Sequence, residues 1–93
     1  MTKKQMHQEI NSKFYQMVES KFPQYIIDDN EGGGRVYLIN MEEKNEEYGC
    51  HDSIEYHMSR HTVCAYNDVS EACFSHEKIM KYFLEKLVAE YDL

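Results

Sequence analysis

DSIEYHMSRHTVCAY, residues 52–66, decides the fold. Read as a helix, it is capped by Asp52 or Ser53, and Ile54, Met58 and His61 share one face. Read as strands, Ile54, Tyr56 and Met58 alternate, the chain turns near Arg60 and His61, and residues 62–66 return. Thr62, Val63, Cys64 and Tyr66 are poor helix formers and good strand formers, so the hairpin is the preferred reading. A turn at that point pairs Ser59 with Thr62 and sets His57 opposite Cys64.

Working outward, residues 3–22 repeat Met6, Ile10, Phe14, Met17, Val18 and Phe22 at helical spacing, with Thr2 placed to cap the start and Pro23 to end it. Two β-prone runs, Tyr25–Ile27 and Arg35–Met41, flank DDNEGGG, whose glycines suit a hairpin connection. The alternative, a phosphate-binding loop, is much the weaker reading, because the lysine and Ser/Thr it needs do not follow the glycines. Residues 42–49, EEKNEEYG, read as a polar loop. The chain closes in a helix from Ser70 or Ser75 to Tyr91, with Ser75 a candidate cap and Ile79, Tyr82, Phe83, Leu87 and Val88 as its apolar face. Of the tyrosines, Tyr82 is expected in the core, and Tyr48 and Tyr56, beside the acids, outside. The order α-β-β-β(-β)-α predicts an α+β fold, two helices on one face of a small antiparallel sheet, in one domain spanning 1–93.

Hydrophobic residues at 42% and charged residues at 29% describe a chain that folds rather than one that stays disordered. No apolar run is long enough to cross a membrane, and MTKKQMHQEINSK lacks the apolar stretch of a signal peptide. A cytoplasmic setting with reduced thiols is therefore expected, and an odd cysteine count of 3 does not suit a disulfide framework. The net charge of −7 is concentrated. Residues 28–55 hold nine acids and two bases, and the remainder of the chain balances. Such a surface repels nucleic acid and attracts a basic protein, including one that itself binds nucleic acid. The acids expected at that contact are Asp28, Asp29, Glu31, Glu42, Glu43, Glu46 and Glu47.

The cysteines and histidines crowd together. His61-x-x-Cys64 and Cys73-x-x-His76 are two close pairs with the ligand types of a structural zinc site, and Cys50, His51 and His57 are alternates. Such a metal would staple the third and fourth strands to the start of the last helix. Beside that reading stands a plainer one, in which Cys64 and Cys73 are small core residues and the histidines lie on the surface. No zincin, deaminase or cysteine-nucleophile signature is present, so no catalytic residue is assigned. Glu42-Glu43 and Glu46-Glu47 lack the ligand spacing of a calcium loop and read as a solvated acidic face.

The helix–strands–helix order is similar to that of double-stranded-RNA-binding domains, but the basic cluster at the start of the last helix is missing, and with it that function. In general character the chain resembles the phage-encoded anti-CRISPR proteins, above all the small acidic inhibitors of Cas9, through DDNEGGGR and MEEKNEEYGCHD. The resemblance implies a non-enzymatic inhibitor that binds a basic surface of such an effector in the cytoplasm of an infected cell.

Overall fold

The computed structural model describes residues 1–44, 49–66 and 70–93. Helix α1 (Lys3–Lys21) leads into strands β1 (Tyr25–Asp28), β2 (Arg35–Lys44), β3 (His51–His57) and β4 (Thr62–Tyr66), and helix α2 (Glu71–Glu90) follows. The strands form one antiparallel sheet in the order β1-β2-β3-β4. This is the expected α+β architecture.

Helix α1 starts in a capping box. Thr2 Oγ1 accepts the Gln5 N–H at 3.2 Å, and Gln5 Oε1 accepts the Thr2 N–H at 2.8 Å. Two otherwise orphaned helix-end donors are thereby satisfied. Its expected stripe is the buried one, with Ile10, Phe14, Met17 and Val18 inside, and it stops just before Pro23. The β1–β2 connection holds Gly32, Gly33 and Gly34 at φ near 70° (70°, 66° and 74°), backbone that a residue with a Cβ seldom adopts.

Side chains alternate across the sheet. Tyr25, Val36, Leu38, Ile54, Tyr56 and Val63 point to the helix side and are buried with Ile10, Phe14 and Val18 of α1 and Cys73, Met80 and Leu84 of α2. Tyr56 packs on Phe14, with ring centroids 4.1 Å apart.

Residues 52–66 are a hairpin, not a helix, but its register differs from the expected one. The loop spans four residues, 58–61, closed by the His61 N–H donating to the His57 carbonyl at 2.8 Å, so His57 pairs with Thr62 and Glu55 with Cys64. His61 makes this possible by taking φ 52°. A non-glycine residue there costs about 1–2 kcal/mol, which its side-chain contacts must offset.

Four further expectations are corrected. Strand β2 runs on to Lys44, so Glu42 lies in a strand rather than a loop; the ladder continues through an irregularity between Ile39 and Lys44. Tyr56 is fully buried, because Ile54 and Tyr56 share the inner face. Ser70, not Ser75, caps α2: its side chain accepts the Cys73 N–H at 3.4 Å, and Ser75 Oγ instead donates to the Glu71 carbonyl. The buried stripe of α2 is Cys73, Met80, Leu84 and Leu87, with Ile79 and Tyr82 exposed (49% and 62%). Apolar residues surround much of this helix, so its sequence permits several stripes. The entry point settles which is used. Asp52 Oδ2 accepts the Ser70 N–H at 3.0 Å, and Cys73 Sγ donates to the Ser53 carbonyl at 3.5 Å, fixing the first turn against β3.

Candidate functional site

Both helices pack on one side of the sheet, and no described helix covers the other. Alternation places Arg35, Tyr37, Ser53, Glu55, His57, Cys64 and Tyr66 on that outer face. Across the strands, Arg35 and His57 form one row with Thr62, and Tyr37 and Glu55 form the next with Cys64.

Glu55 is the centre of the face. It is 7% exposed, because its neighbours cover it. Its Oε1 lies 3.5 Å from Arg35 Nε and 3.5 Å from His57 Nε2, and its Oε2 accepts from Cys64 Sγ at 3.9 Å. One donor atom from each of Glu55, His57 and Cys64 falls within 4.8 Å of the others, so the three could hold a metal ion. Ligands around a tetrahedral zinc sit about 3–4 Å apart, so binding requires a contraction of roughly 1 Å. It also requires Arg35 to give way, since its cation shares Glu55 Oε1. Partial burial of its sulfur, followed by the nearby carboxylates of Glu55 and Glu77, pushes the thiol of the otherwise exposed Cys64 up, against a smaller opposing effect of Lys81. A thiol held protonated is a poor nucleophile, and a metal would have to displace its proton.

The residues expected as zinc ligands do not converge. Cys64 is on the outer face. Cys73 is fully buried on α2 and donates to Ser53. His76 has its Nδ1 2.8 Å from the Tyr25 hydroxyl and its ring 4.8 Å from that of Phe22. His61 is buried against α1, where it stacks on His7 with ring centroids 4.8 Å apart. Of the alternates, Cys50 is exposed, His51 is half-buried, and His57 joins the Glu55 group. The Asp52–Ser70 and Cys73–Ser53 hydrogen bonds tie the sheet to the last helix. Glu55 is the candidate ligand that the Cys and His spacing does not point to. Its signal was strand alternation: Glu55 and His57 are two apart on one face, and a four-residue loop brings Cys64 opposite Glu55.

His61 belongs to a polar chain inside the fold. The Tyr56 hydroxyl donates its single proton to Asn11 Oδ1 and therefore accepts from His61 Nδ1, 3.1 Å away. His61 Nε2 is then the acceptor for His7 Nδ1 at 2.5 Å. Burial, and then His7, push the His61 pKa down, which keeps this ring neutral. Burial raises the Tyr56 hydroxyl in turn, so it too stays protonated.

Of the acids expected at a partner contact, Asp28 and Glu31 line a groove on the outer face. Asp28 ends β1, with its Oδ1 accepting the Asn30 N–H at 3.1 Å. Asp29 and Glu31 are exposed in the β1–β2 connection, and Glu42 is exposed near the end of β2. Glu46, Glu47 and the side chain of Glu43 lie outside the described residues, as does Tyr48. Among the described residues no helix is long and apolar enough to cross a membrane. No family model, curated protein or solved structure matches the chain.

Proposed function

We propose that the protein is a non-catalytic binding module that docks the helix-free, acid-rimmed face of its sheet on a basic, nucleic-acid-binding protein. The observation that carries this reading is the pairing of exposed apolar side chains with acids on that side. Ile26 and Tyr66 are 52% and 44% exposed on the outer face, and Met41 is 48% exposed beside Glu42. Asp28, Asp29 and Glu31 rim the same sheet, within the third of the chain that carries the whole net charge. Apolar centres with a charged rim suit protein contact, and this sign of charge selects a basic partner. The resemblance to anti-CRISPR inhibitors makes a Cas9-type nuclease the first partner to test, in the cytoplasm of an infected cell. Glu55, His57 and Cys64 would hold a structural zinc, joining β3 to β4 within the docking face.

The test is association with purified Cas9, with and without guide RNA, over a range of salt concentrations. Binding that weakens as salt rises and is lost when Glu42, Glu43, Glu46 and Glu47 are all changed to Lys supports the reading. Undiminished binding by that variant, with its melting temperature retained, removes the acidic contact. If Cas9 does not bind, this partner is removed.

A second reading, a zinc-stabilised structural module with an unrelated partner, is favoured by the Glu55–His57–Cys64 group alone. It predicts zinc binding without any affinity for Cas9.

A further inference from the structure

A groove of about 560 Å³ crosses the outer face. Asp28 and Glu31, the rings of Tyr37 and Tyr66, and Ile39 and Ser53 line it, together with Cys50 and His51. The register explains the opening. On β3, Ser53 lies between Ile39 of β2 and Tyr66 of β4, and its small side chain leaves space where a larger one would fill the row. The Tyr37 and Tyr66 rings meet edge to face across that gap, with centroids 5.7 Å apart at 61°. This arrangement leaves Tyr66 44% exposed.

We infer that this groove is a binding site for an arginine side chain, presented by the basic partner. The inference deepens the proposed docking reading and rests on it for the identity of the partner, but not for the chemistry of the ligand. Three features select that chemistry. The exposed face of Tyr66 offers a π surface to a planar cation. Asp28 and Glu31 supply acceptors in the same groove, and Asp28 is held in place by the Asn30 N–H. Ile39 gives an apolar surface for the methylene stem. A guanidinium can stack and bind a carboxylate through two parallel N–H bonds at once, whereas a lysine ammonium is a compact, strongly hydrated charge that does neither as well. Nucleic acid is excluded as occupant by the two carboxylates, which would face its phosphates. Arg35 does not fill the site itself, because its Nε is turned to Glu55.

The experiment is an NMR titration of the intact protein with acetyl-Gly-Arg-Gly-amide, whose only charge is the guanidinium, read at the ring protons of Tyr37 and Tyr66. The lysine and glutamine peptides serve as comparisons. Saturable shifts at both rings are expected with the arginine peptide. Affinity should fall on the order of threefold or more in Tyr66→Leu, and likewise in the double variant Asp28→Asn, Glu31→Gln. Melting temperatures report that each variant is folded. Shifts that do not saturate, equal binding of the lysine or glutamine peptide, or wild-type affinity in folded variants each overturn the proposal. The titration contains no partner protein. Arginine binding without Cas9 binding leaves the groove standing and removes the partner, and Cas9 binding without arginine binding does the reverse.

Discussion

His61 stacks on His7 with its Nε2 2.5 Å from His7 Nδ1, in a contact that joins residues 54 apart in sequence. Only one of the two facing nitrogens can carry a proton, so the contact requires His61 to be neutral there. Burial and the facing His7 from α1 hold the His61 pKa below its ordinary 6.5, while the Tyr56 hydroxyl from β3 meets its other nitrogen. The unfolded chain therefore takes up this proton first as pH falls. The stabilisation is fully present above pH 6.5 and is lost as pH falls through the lower folded value. Melting temperature should drop on moving from neutral to mildly acidic solution. His61→Asn, which tolerates the positive φ, should flatten that dependence between about pH 7 and pH 5, above the range where carboxylates titrate. An unchanged slope in the variant would show that His61 does not set it.

Tyr56→Phe keeps the ring on Phe14 and removes only the hydroxyl. Asn11 Oδ1 then loses a donor and His61 Nδ1 an acceptor, both in the same part-buried chain. A loss of about 1–3 kcal/mol in denaturant unfolding is expected, with the m-value unchanged.

The two cysteines of the last third separate metal binding from packing. Cys64→Ser should abolish any stoichiometric zinc, measured by atomic absorption after purification without chelator, and leave the apo fold near its original stability, because Cys64 is exposed. Cys73→Ser places a hydroxyl in the fully buried site against the Ser53 carbonyl and should leave metal content as it was while altering stability. Zinc lost in Cys73→Ser but kept in Cys64→Ser would reverse the assignment.

Asp52→Ala removes the acceptor of the Ser70 N–H, at the residue that caps α2. Asp52 is 5% exposed, so water does not readily replace it. A destabilisation of about 1–2 kcal/mol is expected, together with faster amide exchange in the first turn of α2 than in the rest of the helix.

Much of this fold is legible in the sequence because its signals are local. The stripe of α1 repeats cleanly, Pro23 closes it, and three glycines mark a hairpin. What is not legible depends on one local geometry with distant effects. The four-residue loop at 58–61 requires His61 in left-handed backbone, a choice no propensity announces, and it moves the partner of Cys64 from His57 to Glu55. Cys64 then lies on the outer face while His61 meets His7 of α1 on the other side, which divides a ligand set that looked continuous in one dimension. The rotation of α2 escapes for another reason. Its apolar residues cover more than one stripe, and the contacts of Asp52 and Cys73 with its first turn select among them. His7 gives no sign in the sequence of its tie to His61, because nothing near either residue encodes a contact 54 positions long.

The sheet order repeats the chain order, and the strands are joined by connections of six, six and four residues. Each ladder can close as soon as its two strands exist, with a small loop entropy to overcome. Helix α1 is different. It is made first, but the ring that Phe14 packs against and the hydroxyl that Asn11 accepts from both belong to Tyr56. On the ribosome, α1 must therefore wait for more than half the chain to emerge before its buried face finds those partners.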